Sequence, residues 1–94
     1  NWFKTPNLTG NAIDANGQGL ENTIVAVIDT ENLQLAALTQ ADDHGYFSAY
    51  LPRQQLLLAI TKPGFIWIES DSPVTEYSLD ATQELQPVIV TLRS

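Results

Sequence analysis

The chain has 94 residues, a formal net charge of −7 and no cysteine. This length suits one domain with a modest core and leaves no room for two domains. The absence of cysteine excludes disulfides, thiolate nucleophiles and thiolate metal ligands. No apolar run approaches the roughly 18 residues of a transmembrane helix, so membrane insertion is not expected. The four basic residues are scattered rather than clustered, and nucleic acid is therefore not an expected partner.

The beginning of the chain has the character of a linker. Residue 1 is asparagine rather than methionine, and no signal-peptide pattern is present, so we interpret the chain as an excised domain or a processed product. Residues 1–7, which include Pro6, are interpreted as the end of a linker. We assign residues 8–94 to the folded domain.

Strand patterns dominate the rest of the chain. Residues 23–28 are β-branched and apolar on both faces, which suits a central strand. Residues 45–51 alternate, with Phe47 on one face and Tyr46 and Tyr50 on the other, as a half-buried strand requires. In chain order, the predicted strands are residues 8–14, 23–28, 33–39, 45–51, 56–61, 65–68, 74–79 and 88–92. Their spacing of roughly ten residues predicts an all-β antiparallel sandwich of about seven strands, or eight if every segment forms one.

Two segments allow a second interpretation. Residues 31–40 contain several good helix formers, but they lack an apolar stripe at helical spacing, so a strand is favoured. Residues 80–86 are expected to form a helical turn or a loop.

Glycines mark three turns between the predicted strands. Asn16-Gly17 is expected to adopt positive φ in the first turn. Gly45 is expected to occupy the left-handed region before its strand. Pro63-Gly64 separates two further strands.

The order of these motifs resembles a known family. The residues that carry the resemblance span about residues 8–65: Leu8-Thr9-Gly10, Asp14-x-Asn16-Gly17-Gln18-x-Leu20, Val25-x-Val27, Asp43-x-Gly45-x-Phe47-Ser48, Leu51-Pro52 and Ile60-x-Lys62-Pro63-Gly64-Phe65. This pattern is similar to the carboxypeptidase regulatory-like domain, in the transthyretin-like (prealbumin-like) β-sandwich group. The resemblance implies a Greek-key sandwich, an extracytoplasmic location at the cell surface, in the periplasm or outside the cell, and a non-catalytic module of peptidases, receptors or surface proteins. It implies no catalytic residue.

The polar residues offer few candidate sites. The single histidine, His44, follows Asp42 and Asp43, a combination that could bind a metal or that could be a solvated turn, which we favour. Asp14-x-Asn16-Gly17 begins like a calcium loop, but the twelfth position is Val25 rather than glutamate. The predicted last strand contains no asparagine, so no lysine–asparagine isopeptide bond is expected. We predict no metal, cofactor or catalytic residue.

Three aromatic residues are the candidate ligand or interface residues: Trp67, Tyr46 and Tyr50. Exposed aromatic side chains on a sheet can stack on sugar rings or anchor a protein interface. The alternative is that Trp67 fills the sandwich core or contacts a neighbouring domain.

These observations lead to two hypotheses. In the first, the domain is a non-catalytic accessory module of a larger protein, serving as a spacer, folding aid or docking surface for a neighbouring domain of the same chain or of another protein. In the second, it binds carbohydrate or another ligand through its exposed aromatic side chains, with polysaccharide as the partner. An enzyme is not expected.

Overall fold

The computed structural model describes residues 6–94 and contains eight strands. They are β1 (Leu8–Ile13), β2 (Ile24–Asp29), β3 (Gln34–Gln40), β4 (Tyr46–Ala49), β5 (Gln55–Thr61), β6 (Ile66–Trp67), β7 (Thr75–Asp80) and β8 (Val88–Arg93). They form two four-stranded sheets with the orders β4-β1-β8-β6 and β3-β2-β5-β7. The predicted all-β sandwich is confirmed, and all eight predicted segments contain a strand, the shortest being the two-residue β6, which pairs with β8.

One strand pair departs from the antiparallel expectation. β1 and β8 run parallel, from Gly10 opposite Val88 to Ile13 opposite Thr91. Every other pair in the two sheets is antiparallel. Parallel neighbours require a long crossover connection, and here the six intervening strands provide it. A pattern read along the sequence gives no signal for a pair separated by most of the chain.

The core lies between the two sheets and follows the alternation of the strands. In β5, Leu56, Leu58 and Ile60 are buried, while the residues between them face outward. Val25 and Val27 of β2 are buried beside them, because cross-strand partners lie on the same side of a sheet. Val90 and Leu92 of β8 are among the buried residues that the second sheet contributes.

The segment with two interpretations forms a strand. Residues 34–40 pair with β2 along its length, with a bulge opposite Val27 and Ile28. A segment of this length would be marginal as an isolated helix, whereas pairing with the central strand satisfies one side of its backbone. Residues 81–87 form a turn and a loop, which begins with a hydrogen bond from Gln83 N to Asp80 O of 3.2 Å.

Two turns use the same aspartate-based hydrogen bonding. Oδ1 of Asp14 accepts hydrogen bonds from the backbone N–H groups of residues 16 and 18, at 2.8 and 3.0 Å. Oδ1 of Asp42 accepts from residues 44 and 46 in the same way, at 2.9 and 3.0 Å. In each turn a glycine three residues later has positive φ: 83° at Gly17 and 82° at Gly45. The expectation that Asn16 would share positive φ is wrong, because the aspartate side chain stabilises a turn that needs only one left-handed residue.

Asn7, which the sequence places in the linker, is hydrogen-bonded to the folded domain. Its side-chain amide donates to Leu51 O at 3.1 Å, and its Oδ1 accepts from Leu51 N at 2.7 Å. The predicted linker residues 1–5 lie outside the described residues.

Candidate functional site

Tyr46 and Tyr50 project away from the core, as the alternation around Phe47 predicts. Phe47 is buried, while Tyr46 and Tyr50 are 58% and 50% exposed. Tyr46 begins β4 and faces the same side of the sheet as its partner Asn11. The candidate aromatic surface is therefore centred on Tyr46 and lies on the outer face of the β4-β1-β8-β6 sheet.

Trp67 has a different environment. It pairs with the buried Leu92, so its side chain faces the interior, where it is half-buried and packs against the core. Its ring meets the ring of Tyr77 edge-on, with centroids 5.7 Å apart and an angle of 60° between planes. Such an arrangement is favourable for aromatic pairs. Trp67 thus joins the two sheets at one side of the sandwich.

The structure does not bring the three candidate aromatic residues together. Tyr46 belongs to β4 and Trp67 to β6, at opposite edges of one sheet. Three strand spacings separate these edges by about 14 Å, and the two side chains point to opposite faces of the sheet. A single aromatic platform formed by Trp67, Tyr46 and Tyr50 is therefore not present.

The Trp67–Tyr77 contact predicts a pH dependence of stability. Burial raises the pKa of Tyr77 above its ordinary value of 10.0, and the charge of Glu69 adds to the effect. The unfolded chain therefore loses this proton first. Neutral Tyr77 makes its full contribution to the free energy of unfolding below pH 10, and this contribution decreases as the pH rises above that value. We expect Tyr77→Phe to reduce the loss of stability between pH 9 and 11, measured by urea unfolding at each pH; equal losses in both chains would contradict this.

His44 lies in a solvated turn. Its Nε2 is 3.7 Å from Oδ1 of Asp43, and both side chains are about three-quarters exposed. Asp42 uses Oδ1 to hold the turn. Within residues 6–94, no group of three or more histidine or acidic side chains is placed to hold a metal ion.

Nor does any helix in that part of the chain have the length and apolar character needed to cross a membrane.

The outer face of the β3-β2-β5-β7 sheet carries an apolar surface that the sequence patterns did not predict. The strand register places three rows of outward side chains across β3, β2 and β5. We call the apolar members of these rows the apolar face: Leu35, Ile28, Leu57, Leu38, Ala26, Ala59 and Ile24. Leu35 and Leu38 are 58% and 62% exposed, and the others are half-buried by their neighbours. A flat apolar surface of this kind on a sheet is a candidate binding surface.

The sequence contained a signal for this face. Strand β2 is apolar at every position from Ile24 to Ile28, and we attributed that pattern to a central strand. A central strand of a sandwich needs only one apolar face, because its other face is in water. The outward residues Ala26 and Ile28 therefore had no structural requirement to be apolar, and only the register showed that apolar neighbours surround them.

The outer face of the other sheet carries a smaller feature. A shallow groove of about 370 Å³ runs beside Tyr46 and Ile89 and is lined mainly by apolar atoms. Ile89 is exposed and lies next to Asn11, the partner of Tyr46. An exposed aromatic ring beside a shallow groove is a candidate surface for stacking a flat ligand.

These features define a small all-β sandwich domain with two distinct outer faces. No protein-family model matches the sequence, and no curated protein is significantly similar to it. The resemblance to the carboxypeptidase regulatory-like domain therefore remains a prediction.

Proposed function

We propose that the domain is a non-catalytic accessory module whose apolar face docks against a neighbouring domain of a larger, extracytoplasmic protein. The observation that carries this proposal is the apolar face itself. Its rows Leu35–Ile28–Leu57 and Leu38–Ala26–Ala59 contain no polar side chain. Covering such a surface is favourable at about 25 cal/mol for each Å² removed from water.

The size of the apolar face favours a tethered neighbour. Three strands spaced about 4.8 Å apart, with rows about 7 Å apart, give a footprint of about 300 Å² once side-chain widths are included. A stable complex of separate proteins buries about 800 Å² on each partner. Interfaces between domains of one chain range down to about 300 Å² on each side. A linker compensates for the small area by raising the effective concentration of the neighbour.

The edge of the apolar face supports the same proposal. Towards β7, the two rows end in Ser78 and Glu76, which are polar and exposed. An apolar centre with a polar rim is the usual anatomy of a protein interface. The resemblance noted above, which implies a spacer, folding aid or interaction surface, is consistent with this arrangement.

A second candidate function rests on the groove beside Tyr46. In this proposal the domain binds a polysaccharide by stacking a sugar ring on Tyr46, with Ile89 as the opposite wall. Trp67 takes no part, because it packs inward.

The test compares the 94-residue chain with the same chain joined to the domains adjacent to it in its gene product. We expect the module to unfold at a higher temperature when joined, and Leu57→Lys to remove that gain. Each kcal/mol of lost contact lowers the midpoint by about 4–8 °C in a domain of this size. Differential scanning calorimetry measures both effects.

The matched control is Ile89→Lys, the same change on the opposite outer face. It is expected to leave the gain in unfolding temperature intact. In the isolated chain, neither variant should change the free energy of unfolding by more than about 1 kcal/mol. An unchanged midpoint on joining, or equal effects of the two variants, would contradict the docking proposal. Chemical shift changes around Tyr46 on adding soluble cello-oligosaccharides to the isolated chain would favour the second candidate.

A further inference from the structure

The four sheet edges differ in how they are protected against pairing with another strand. Among the described residues, β4 has four residues and β6 has two, which are short edges. β7 carries Glu76 and Asp80. β3, from Gln34 to Gln40, is seven residues long and contains neither a charge nor a proline. Short length, charge, proline and β-bulges are the usual protections of an edge strand, and β3 has only the last, the bulge opposite Val27 and Ile28. Residues 37–40, beyond the bulge, form a regular edge.

The pairing of β3 with β2 shows which backbone N–H and C=O groups of β3 point away from β2. Ala41 N donates to Thr23 O at 2.8 Å, so the backbone of residue 41 points toward β2. Because hydrogen-bonding direction alternates along an antiparallel strand, the N–H and C=O groups of Leu38 and Gln40 point away from β2. Within residues 6–94, β3 pairs with β2 only. These groups are therefore available to a further strand.

The charges at both ends of β3 are acidic. Asp29 and Glu31 precede the strand, and Asp42 and Asp43 follow it, with the exposed His44 beside Asp43. A side-chain hydrogen bond from Gln54 is the main cause that lowers the pKa of Asp29 below its ordinary value of 3.8, so this carboxylate is ionised at neutral pH.

The three basic side chains of the described residues belong neither to β3 nor to the turns at its two ends: Arg53 precedes Gln54, and Lys62 and Arg93 have partners of their own. Arg93 pairs with Asp71 at 2.7 Å. Lys62 donates to Glu21 O at 2.6 Å, and its Nζ lies over the ring of Phe65. No lysine or arginine occurs between residues 5 and 52. Neither end of β3 therefore has a basic residue near it in the sequence.

This charge distribution indicates which kind of strand can pair with the free edge of β3. If β3 of a second copy paired in the antiparallel direction, the acidic start of each strand would meet the acidic end of the other. Each copy also carries a net charge of −7. Like charges placed opposite each other are destabilising. We propose instead that β3 accepts an extended segment of another protein, whose central residues are uncharged and whose two ends carry lysine or arginine.

The two sides of the added strand would meet different surfaces. On one side it would extend the apolar face beside Leu35 and Leu38, so apolar residues fit there. On the other side it would lie over a groove of about 440 Å³ between β3 and β4, where the polar residues Thr39, Gln40, Asp42 and Ser48 lie beside Tyr46 and Phe47. Small polar residues fit that side. The preferred segment therefore alternates apolar and small polar residues, as strands do.

The probe is a synthetic peptide in which alternating valine and threonine are flanked by a pair of lysines at each end. We expect the lysine-flanked peptide to bind at least about tenfold more tightly than one flanked by glutamates, and to bind more weakly in 1 M salt. At saturation the amide protons of Leu38 and Gln40 are expected to exchange at least about tenfold more slowly, as measured by NMR. This measurement of amide exchange requires no substitution in the chain.

Gln40→Pro removes one outward N–H donor without changing the apolar face, and edge strands tolerate proline at such positions. We expect it to weaken peptide binding at least about tenfold. The matched control is Ser78→Pro on β7. Ala81 N donates to Gln54 O at 3.0 Å, so the N–H of Ser78 also points outward, and this variant should bind the peptide normally.

Three outcomes would overturn the proposal. The first is equal affinity for the lysine-flanked and glutamate-flanked peptides. The second is protection of Ser78 instead of Leu38 and Gln40. The third is dimerisation of the chain alone with protection of the same two amides, which would make a second copy the occupant. Because the test uses the isolated chain and a separate peptide, its result is independent of the docking of the apolar face on a neighbouring domain.

Discussion

Replacing Gly45 with alanine is expected to lower the free energy of unfolding by about 4 kcal/mol. Two costs combine at this position. The φ of 82° is unfavourable for a residue with a side chain, by about 1–2 kcal/mol. A Cβ at residue 45 would also lie 2.3 Å from Ala12 O and 2.8 Å from Leu20 N. Those two atoms are hydrogen-bonded to each other at 2.9 Å, so the backbone has no free direction in which to move.

Gly17→Ala separates the two costs. Gly17 has nearly the same φ, 83°, but a Cβ there would have no neighbour within 4 Å. We expect Gly17→Ala to lower the free energy of unfolding by only about 1 kcal/mol. Urea unfolding followed by circular dichroism measures both variants. Equal losses in the two would show that the contact between Gly45 and Ala12 does not constrain the fold.

Leu58→Ala is expected to lower the free energy of unfolding by about 3–4 kcal/mol. Leu58 is fully buried in the central strand β5, between Val27 on one side and Tyr77 on the other. Shortening it removes apolar contacts from both neighbouring strands and leaves a cavity that the sheets cannot fill by a small movement. The midpoint of urea unfolding should fall while its slope stays unchanged.

The adjacent leucine is the matched control for this change. Leu57 belongs to the apolar face and is half-buried on the outer surface. In the isolated chain we expect Leu57→Ala to lower the free energy of unfolding by no more than about 1 kcal/mol, because no cavity forms there. A loss as large as that of Leu58→Ala would mean that Leu57 is covered in the isolated chain, and the apolar face would not be available for docking.

These predictions separate the part of the molecule that maintains the fold from the part that is available to partners. Gly45 and Leu58 lie where the turns and the two sheets meet. The apolar face and the edge strand β3 contribute little to that packing, yet they are apolar or uncharged in a chain with a net charge of −7. Apolar surface positions without a packing requirement are the observation on which the proposed docking role rests.

Local patterns predicted most of the fold. Alternation placed Phe47 inside and Tyr46 and Tyr50 outside, because successive side chains of a strand point to opposite faces. The aspartates and glycines of the turns divided the chain into strands at about the right positions. In the segment around β3, the lack of a helical stripe correctly favoured a strand over good helix propensity.

The candidate surfaces required the tertiary structure. The sequence left open whether Trp67 fills the core or is exposed, and only its pairing with Leu92 shows that its ring faces inward. The parallel pairing of β1 with β8 was equally invisible, since it joins residues about 80 positions apart.

The amino-acid sequence by itself determined which segments are strands and, in a strand that alternates such as β4, which side is buried, because those properties depend on neighbours within a few residues. Only the tertiary structure decided which strands lie side by side. That arrangement places Leu38 beside Ala26, and Ala26 beside Ala59, in one continuous row. It also leaves β3 at an edge. Register between distant strands depends on the packing of the whole domain, so the apolar face and the open edge appear only when the two sheets are assembled.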